Sequence, residues 1–150
     1  MFAHSPKTKG VERLVEIRNV MLDLIAEQFV DIVIIEGYAF SARNSQSHAL
    51  GELGGVLRVA IHEADINVIE IPPTVRAKFA TGRGNASKSE VVSAVSARTG
   101  LLFEGKGADD MCDAWLLQEM SWASRGRSKY EWPKQNLDAL EKIDWTTLPF

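Results

Sequence analysis

Two acidic points far apart in the chain have the residue types of a divalent-metal site. Glu36 ends the apolar run Ile32-Val33-Ile34-Ile35, and Asp109, Asp110 and Asp113 open a second apolar segment far downstream. A strand apolar on both faces belongs inside a covered sheet, and nothing structural requires it to end in a carboxylate. Read structurally, Glu36 is simply the first solvated residue after a core strand. Asp110 and Asp113 lie three apart in a helical segment over 110–123, in which Ala114, Leu117 and Met120 continue the face carrying both carboxylates. Aspartate is favoured at helix N-caps and first turns, which would account for one of these residues. A cluster of three is more negative charge than a helix start needs, and like charges so close repel unless a cation lies between them. Hard carboxylate oxygens suit Mg²⁺, with Mn²⁺ as the alternative.

A site of this kind needs a scaffold, and the composition allows one. The chain has 150 residues, of which 45% are hydrophobic and 25% charged, enough for one sizeable core. No apolar run approaches the roughly 20 residues that cross a bilayer, and the first nine residues lack a signal-peptide core, so the expected location is the cytoplasm, with no membrane partner. The single cysteine, Cys112, has no partner for a disulfide and no zinc-type spacing around it, so it reads as a small buried apolar residue.

The net charge of −3 argues against indiscriminate attraction to nucleic acid, but its distribution carries more information than its sum. From residue 76 to 88 every charge is positive: Arg76, Lys78, Arg83 and Lys88, in a stretch broken by Gly82 and Gly84 and read as a basic loop. Arg125, Arg127 and Lys129 form a second cluster beyond the acidic helix. Carboxylates at the centre with bases at the rim suit a polyanion held by metal.

The elements that must position these groups follow from periodicity. Residues 11–28 carry Leu14, Ile17, Met21, Leu24 and Ile25 at helical spacing, and 29–36 is the first strand. The polar stretch 37–47, containing Arg43, Asn44 and Gln46, leads to a second helix over 48–64 through Leu50, Leu53, Leu57 and Ile61. A short strand over 67–71 ends at Pro72-Pro73. Strand, helix, strand implies a right-handed crossover and a parallel pair, hence an α/β architecture. Ser87 and Glu90 make a capping box that starts a helix running to about Arg98. Lys88 then falls at the first helical position, where a cation opposes the helix dipole; it is either a solvated lysine or one placed for an anion. From Trp132 onward, Leu137, Leu140, Ile143 and Trp145 suggest a short closing helix and an exposed tail without chemistry. The pair Gly82-x-Gly84 lacks the spacing of a nucleotide-binding loop.

In this order the pieces resemble the RuvC-like Holliday junction resolvases, particularly their short phage and prophage versions, within the RNase H-like nuclease superfamily. The resemblance runs from about Gly10 to Met120. It is carried by Val-Ile-Ile-Glu-Gly-Tyr-Ala-Phe at 33–40, Ala-Leu-Gly-Glu-Leu-Gly-Gly at 49–55, Lys-Phe-Ala-Thr-Gly-Arg-Gly-Asn-Ala-Ser-Lys at 78–88 and Asp-Asp-Met-Cys-Asp-Ala at 109–114. It implies a three-layer RNase H-like fold. Glu36 becomes the strand-end metal ligand, Asp113 the helix ligand and Asp110 its partner one turn earlier, with Asp109 able to replace Asp110. It further implies that Lys88 is the base beside the scissile phosphate and that Arg43, Asn44, Arg76, Lys78, Arg83 and Lys88 contact the DNA backbone. The implied partner is a four-way or otherwise branched DNA, met by a twofold homodimer whose contact would use the face around Leu50 to Ile61, in the cytoplasm of a bacterial host cell.

The chain departs from the family pattern in one respect. The family begins with an antiparallel hairpin whose first strand carries an Asp-x-Gly motif, whereas this chain starts at the helix after it. Asp31 does not substitute, since it lies at the opposite end of the strand from Glu36, about 16 Å away at strand rise, and Asp23 sits on a helix. The expectation is therefore an N-terminally incomplete nuclease domain over 1–131, followed by a short helix and tail over 132–150, from a truncated or mis-started reading frame and inactive as it stands. Two alternatives accompany it: a non-catalytic module that only holds branched DNA, and an RNase H-like enzyme acting on RNA–DNA hybrids.

Overall fold

The computed structural model describes residues 9–37 and 45–150, the side chains of 45–47 excepted, and within them the elements follow largely from local chemistry. Helix α1 (Gly10–Glu27) ends when the Gln28 amide bonds Leu24 O at 3.0 Å. Phe29 then takes a left-handed conformation, φ 50°, with 88% of its surface exposed. The strand read as starting at Phe29 therefore starts at Ile32 instead, because the chain must reverse before it can extend. Strand β1 (Ile32–Glu36) is followed by α2 (Ser45–Glu63) and β2 (Asn67–Ile71). Asp65, with φ 61°, makes the second reversal, a conformation that short polar side chains tolerate.

β1 and β2 form a parallel pair, the two-stranded sheet among the described residues, extended by the Gly37 amide bonding Ile71 O at 2.9 Å. The mixed helix-and-sheet composition agrees with the α/β expectation. Ile69 and Ile71 of β2 are buried, whereas Ile32 to Ile35 of β1 are only half-buried. The central, doubly covered position expected for β1 does not hold among the described residues, because only β2 pairs with it there.

The chain divides into two compact units, whose described parts are 9–33 with 45–68, and 34–37 with 69–150. In the first, α1 and α2 pack on each other, and Ile17, Ala60 and Ile61 are buried. Leu50, at the head of the α2 stripe, stays exposed, so the stripe is not all core.

The second unit contains a helix that the sequence reading missed. Pro72-Pro73 stops β2, but Pro73 also occupies the first turn of α3 (Pro73–Thr81), where its fixed φ suits helix initiation and its missing amide costs nothing. The helix stops at Gly82, φ 86°, whose amide bonds Lys78 O at 2.7 Å. Arg76, Ala77, Phe79 and Ala80 are its buried face. The stretch read as a basic loop is thus half helix, and Arg76 and Lys78 belong to it. Helix α4 (Lys88–Thr99) begins at the expected capping box: the Glu90 amide donates to Ser87 Oγ at 3.3 Å, and the Ser87 amide donates to Glu90 Oε2 at 2.6 Å. Helix α5 (Ala108–Ser124) starts from Gly107 in a left-handed conformation, with no side chain capping it. Cys112, Leu116 and Met120 on α5 are fully buried, as are Val95 of α4 and Phe79 of α3.

The C-terminal segment is not an exposed tail. Trp132 lies 4.3 Å from the Phe79 ring, Asn136 Nδ2 donates to Phe79 O at 2.8 Å, and Leu148 is buried. A short helix α6 (Lys134–Leu137) and a 3-10 helix over Asp138–Lys142 carry these anchors onto α3. The buried Glu119 of α5 ties the same segment down, its Oε1 accepting from Ser128 Oγ and from Trp132 Nε1.

Replacing Phe79 by Ala is predicted to destabilise the fold by about 3–5 kcal/mol, and Ser87→Ala by about 1 kcal/mol through loss of the cap. Urea denaturation of the two variants checks the order; equal losses would contradict it.

Candidate metal centre

Glu36 is the last residue of β1, and Asp113 lies on α5, 77 residues further along the chain. What joins them is Arg76 of α3. Its Nε donates to Glu36 Oε2 at 2.7 Å and its Nη1 donates to Asp113 Oδ1 at 2.5 Å. One planar guanidinium thus bridges the two carboxylates. The arginine side chain is 7% exposed, Asp113 16% and Glu36 36%, so the bridge runs from the interior toward solvent. Desolvation favours the neutral carboxyl and raises the pKa of Asp113. The charge on Arg76 opposes this, and that on Glu36 adds to it. Breaking a buried arrangement of this kind by removing one partner costs about 3–5 kcal/mol, because a charge is left without compensation.

Asp109 and Asp110, in the first turn of α5, turn to a different cation. Lys88 Nζ donates to Asp109 Oδ2 at 3.1 Å and lies 4.0 Å from Asp110 Oδ1. The hydrogen bond from Lys88 holds the Asp109 carboxyl below its ordinary value, and the same bond raises the lysine. These groups are solvent-exposed, so the attraction is screened and stabilises the fold little. Lys88 sits at the first position of α4, where it faces the acidic first turn of α5. That location resolves the helix-dipole anomaly: the unfavourable placement is offset by carboxylates across the gap. Asp113 feels Lys88 and Asp110 as well as its nearer neighbours, so both groups of charges belong to one electrostatic site.

Glu36, Asp109, Asp110 and Asp113 bring four negative charges, and Arg76 and Lys88 bring two positive ones, leaving a formal balance of two negative charges. All-oxygen donors with that surplus fit a hard divalent cation in chemistry and charge. In arrangement they are divided: among the described residues no three acidic, histidine or cysteine side chains converge as a ready coordination cage. Two carboxylates face Arg76 and two face Lys88.

The remaining candidates are distributed around this centre. Arg76, read as a rim base, lies inside, where its guanidinium is engaged by both acids. A buried position on a helix stripe, 76-77-79-80, was the signal that could have shown this, had Pro73 been read as a helix start. Lys78 is half-buried on α3, and Arg83 is exposed and paired with Glu90 at 3.0 Å. Arg43 and Asn44 lie outside the described residues. Cys112 is fully buried, and burial pushes its thiol up to about 11, so it is chemically inert at neutral pH. No helix among the described residues is long and apolar enough to cross a membrane.

Comparison with known proteins places the chain in a family. A family model described as crossover junction endodeoxyribonuclease RuvC matches residues 2–117. The chain is 30% identical over 122 residues to the crossover junction endodeoxyribonuclease RuvC of Carboxydothermus hydrogenoformans, covering 81% of this chain and 77% of that protein. It is 32% identical over 114 residues to the protein of the same name from a Synechococcus strain, covering 76% and 71%. Among solved structures, Thermus thermophilus RuvC superposes with a TM-score of 0.64 at 24% identity, covering 87% of this chain and 79% of that one. The same protein in complex with a Holliday junction substrate superposes at 0.63, also at 24% identity, covering 85% and 78%. These superpositions establish the RNase H-like fold. The chain belongs to the RuvC family of crossover junction endodeoxyribonucleases.

Proposed function

We propose that this protein is a nuclease of branched DNA, cleaving a phosphodiester at a four-way junction with carboxylates that hold a divalent ion. The observation that carries this reading is the meeting of Glu36 and Asp113 across one guanidinium, with Asp109, Asp110 and Lys88 in the same electrostatic field. Membership of a family whose curated proteins are named crossover junction endodeoxyribonucleases, and the likeness to a RuvC crystallised with a Holliday junction, support the choice of substrate.

In this reading Glu36, Asp110 and Asp113 hold Mg²⁺ or Mn²⁺, with Asp109 able to stand in for Asp110. When bound, the metal supplies Lewis acidity toward the phosphate and a water acidic enough to attack it. The chain's own contribution is placement. β1 and α5 present their carboxylates at one site from opposite ends of the sequence, and Lys88 stands beside them to neutralise charge gathering on the phosphate oxygens. Lys78 on α3 and Arg83 just beyond its end are proposed as bases that hold backbone phosphates without reading sequence. Arg43 and Asn44 join them in the proposal as backbone contacts on the strength of the resemblance. A junction presents two symmetric strands, so a twofold homodimer is the matching assembly, and the face of α2 from Leu50, which is exposed, to Ile61 is the candidate for its contact. The proposed place of action is the cytoplasm.

A second reading has a specific observation in its favour. Because Arg76 already satisfies one oxygen each of Glu36 and Asp113, the chain could hold branched DNA through its bases without cleaving it.

The two readings separate on a labelled four-way junction with Mg²⁺: cleavage supports the nuclease, and binding without nicking supports the module. Asp113→Asn is predicted to abolish cleavage while sparing junction binding, and unchanged turnover would defeat the assignment. Lys88→Ala is predicted to lower turnover by roughly 10²–10³-fold, read by single-turnover kinetics. Lys78→Ala and Arg83→Ala should each weaken binding of all sequences alike and reduce the slope of log affinity against log salt by about 1; an unaltered slope in both would remove them from the interface.

A further inference from the structure

We infer that Arg76 is a resident cation of the metal site, and that a divalent ion binds Glu36 and Asp113 only by displacing its guanidinium. The inference rests on the reading of these carboxylates as metal ligands, and deepens it.

Three observations carry it. The two acids that would hold an ion from opposite sides already hold one guanidinium between them, at 2.7 and 2.5 Å. The arginine side chain is 7% exposed, so its charge sits where solvent screens poorly and where a second cation alongside would be strongly repelled. Ala77, Phe79 and Ala80, the other buried residues of α3, carry no side-chain acceptor that could replace the two acids.

Geometry makes the competition direct. Nε and Nη1 donate from different sides of one rigid plane to oxygens of two separate side chains, and each bond uses an oxygen that a metal would also want. An ion entering between Glu36 and Asp113 meets the guanidinium charge already seated there, and the repulsion between the two cations drives Arg76 off those oxygens. The arginine stem is anchored on α3, whose last residue, Thr81, lies five positions on, followed by Gly82, Arg83 and Gly84, where contact with the DNA backbone is proposed. A displaced guanidinium has an obvious new partner there, since a phosphodiester accepts the same fork. The affinity for metal is then set by a difference between two cations for one pair of carboxylates. Lys88 is bonded to Asp109 and lies 4.0 Å from Asp110, and donates to neither Glu36 nor Asp113, so the direct contest for those two carboxylates is with Arg76.

The experiment is Mn²⁺ binding to the full 150-residue chain, followed by loss of the free-ion electron paramagnetic resonance signal, for the natural protein, Arg76→Met and Arg76→Lys. Methionine keeps the length and apolar stem without the charge, and lysine keeps the charge without the two-pronged donor edge. Arg76→Met is expected to bind Mn²⁺ roughly tenfold or more tightly than the natural chain, with Arg76→Lys between them. Equal or weaker binding by Arg76→Met, with its circular dichroism unchanged, would show that the arginine positions the acids and does not compete. Should Arg76→Met not fold, the natural protein answers by itself. Its slowest-exchanging arginine Nε–H resonance, followed by ¹⁵N NMR, is expected to lose protection as Mg²⁺ saturates the site; saturation with that resonance unmoved overturns the inference. Asp113→Asn distinguishes the two levels of the claim. Metal binding that is sensitive to Asp113 but indifferent to Arg76 sinks the competition alone, whereas binding indifferent to Asp113 sinks the metal site and the competition with it.

Discussion

The site depends on one buried guanidinium. Arg76 draws together a strand end and a helix start that are remote in sequence, and without a cation between them Glu36 and Asp113 would repel each other in a partly desolvated place. Desolvating three charges is costly, and a hydrophobic cluster of the same volume would stabilise the fold at least as well. The arrangement is therefore poorly explained as a device for stability. It is well explained as a means of holding two carboxylates from distant parts of the chain on one cation. The elements around it serve that placement: α3 is held by Phe79 against Trp132 and by Asn136 bonding the Phe79 carbonyl, so the C-terminal segment fixes the helix from which Arg76 extends.

The surroundings add a graded field. Arg76 is interior and engaged by two acids, Lys88 is at the surface and engaged by one acid closely and another more distantly, and Arg83 is exposed in a pair with Glu90. Screening makes the outer pairs weak, so their side chains can be drawn to another anion at little cost. Carboxylates within and loosely committed bases outside is an order suited to a polyanion approaching a metal centre, and it matches the RNase H-like fold and RuvC family to which the chain belongs.

Much of this was legible in the residues, for physical reasons that can be named. The strand over Asn67–Ile71 and the α4 start were readable because Pro72-Pro73 and the Ser87–Glu90 capping box are strong local signals. Strand β1 was read three residues too long because the apolar side chains Phe29 and Val30 mimic a strand, while the left-handed φ of Phe29 is a tertiary requirement with no glycine to announce it. Helix α3 was missed because its two prolines and two following glycines look like a loop, and because its length of nine residues leaves little room for a period to show. That omission concealed the most important placement. A charged residue on an amphipathic stripe is read as solvated unless its helix is recognised, so Arg76 was assigned to the rim when its partners lie inside. The burial of Trp132 and Leu148 was equally hidden, since anchors scattered in a polar segment acquire meaning only from the surface they meet.

The most direct test of the shared carboxylate site is a crystal of this chain soaked in Mn²⁺ and measured at a wavelength where manganese scatters anomalously. An anomalous peak about 2.1–2.3 Å from oxygens of both Glu36 and Asp113, with the Arg76 guanidinium moved off them, is the predicted result. A saturated crystal in which manganese sits elsewhere, while Arg76 still bridges the two acids, would contradict it.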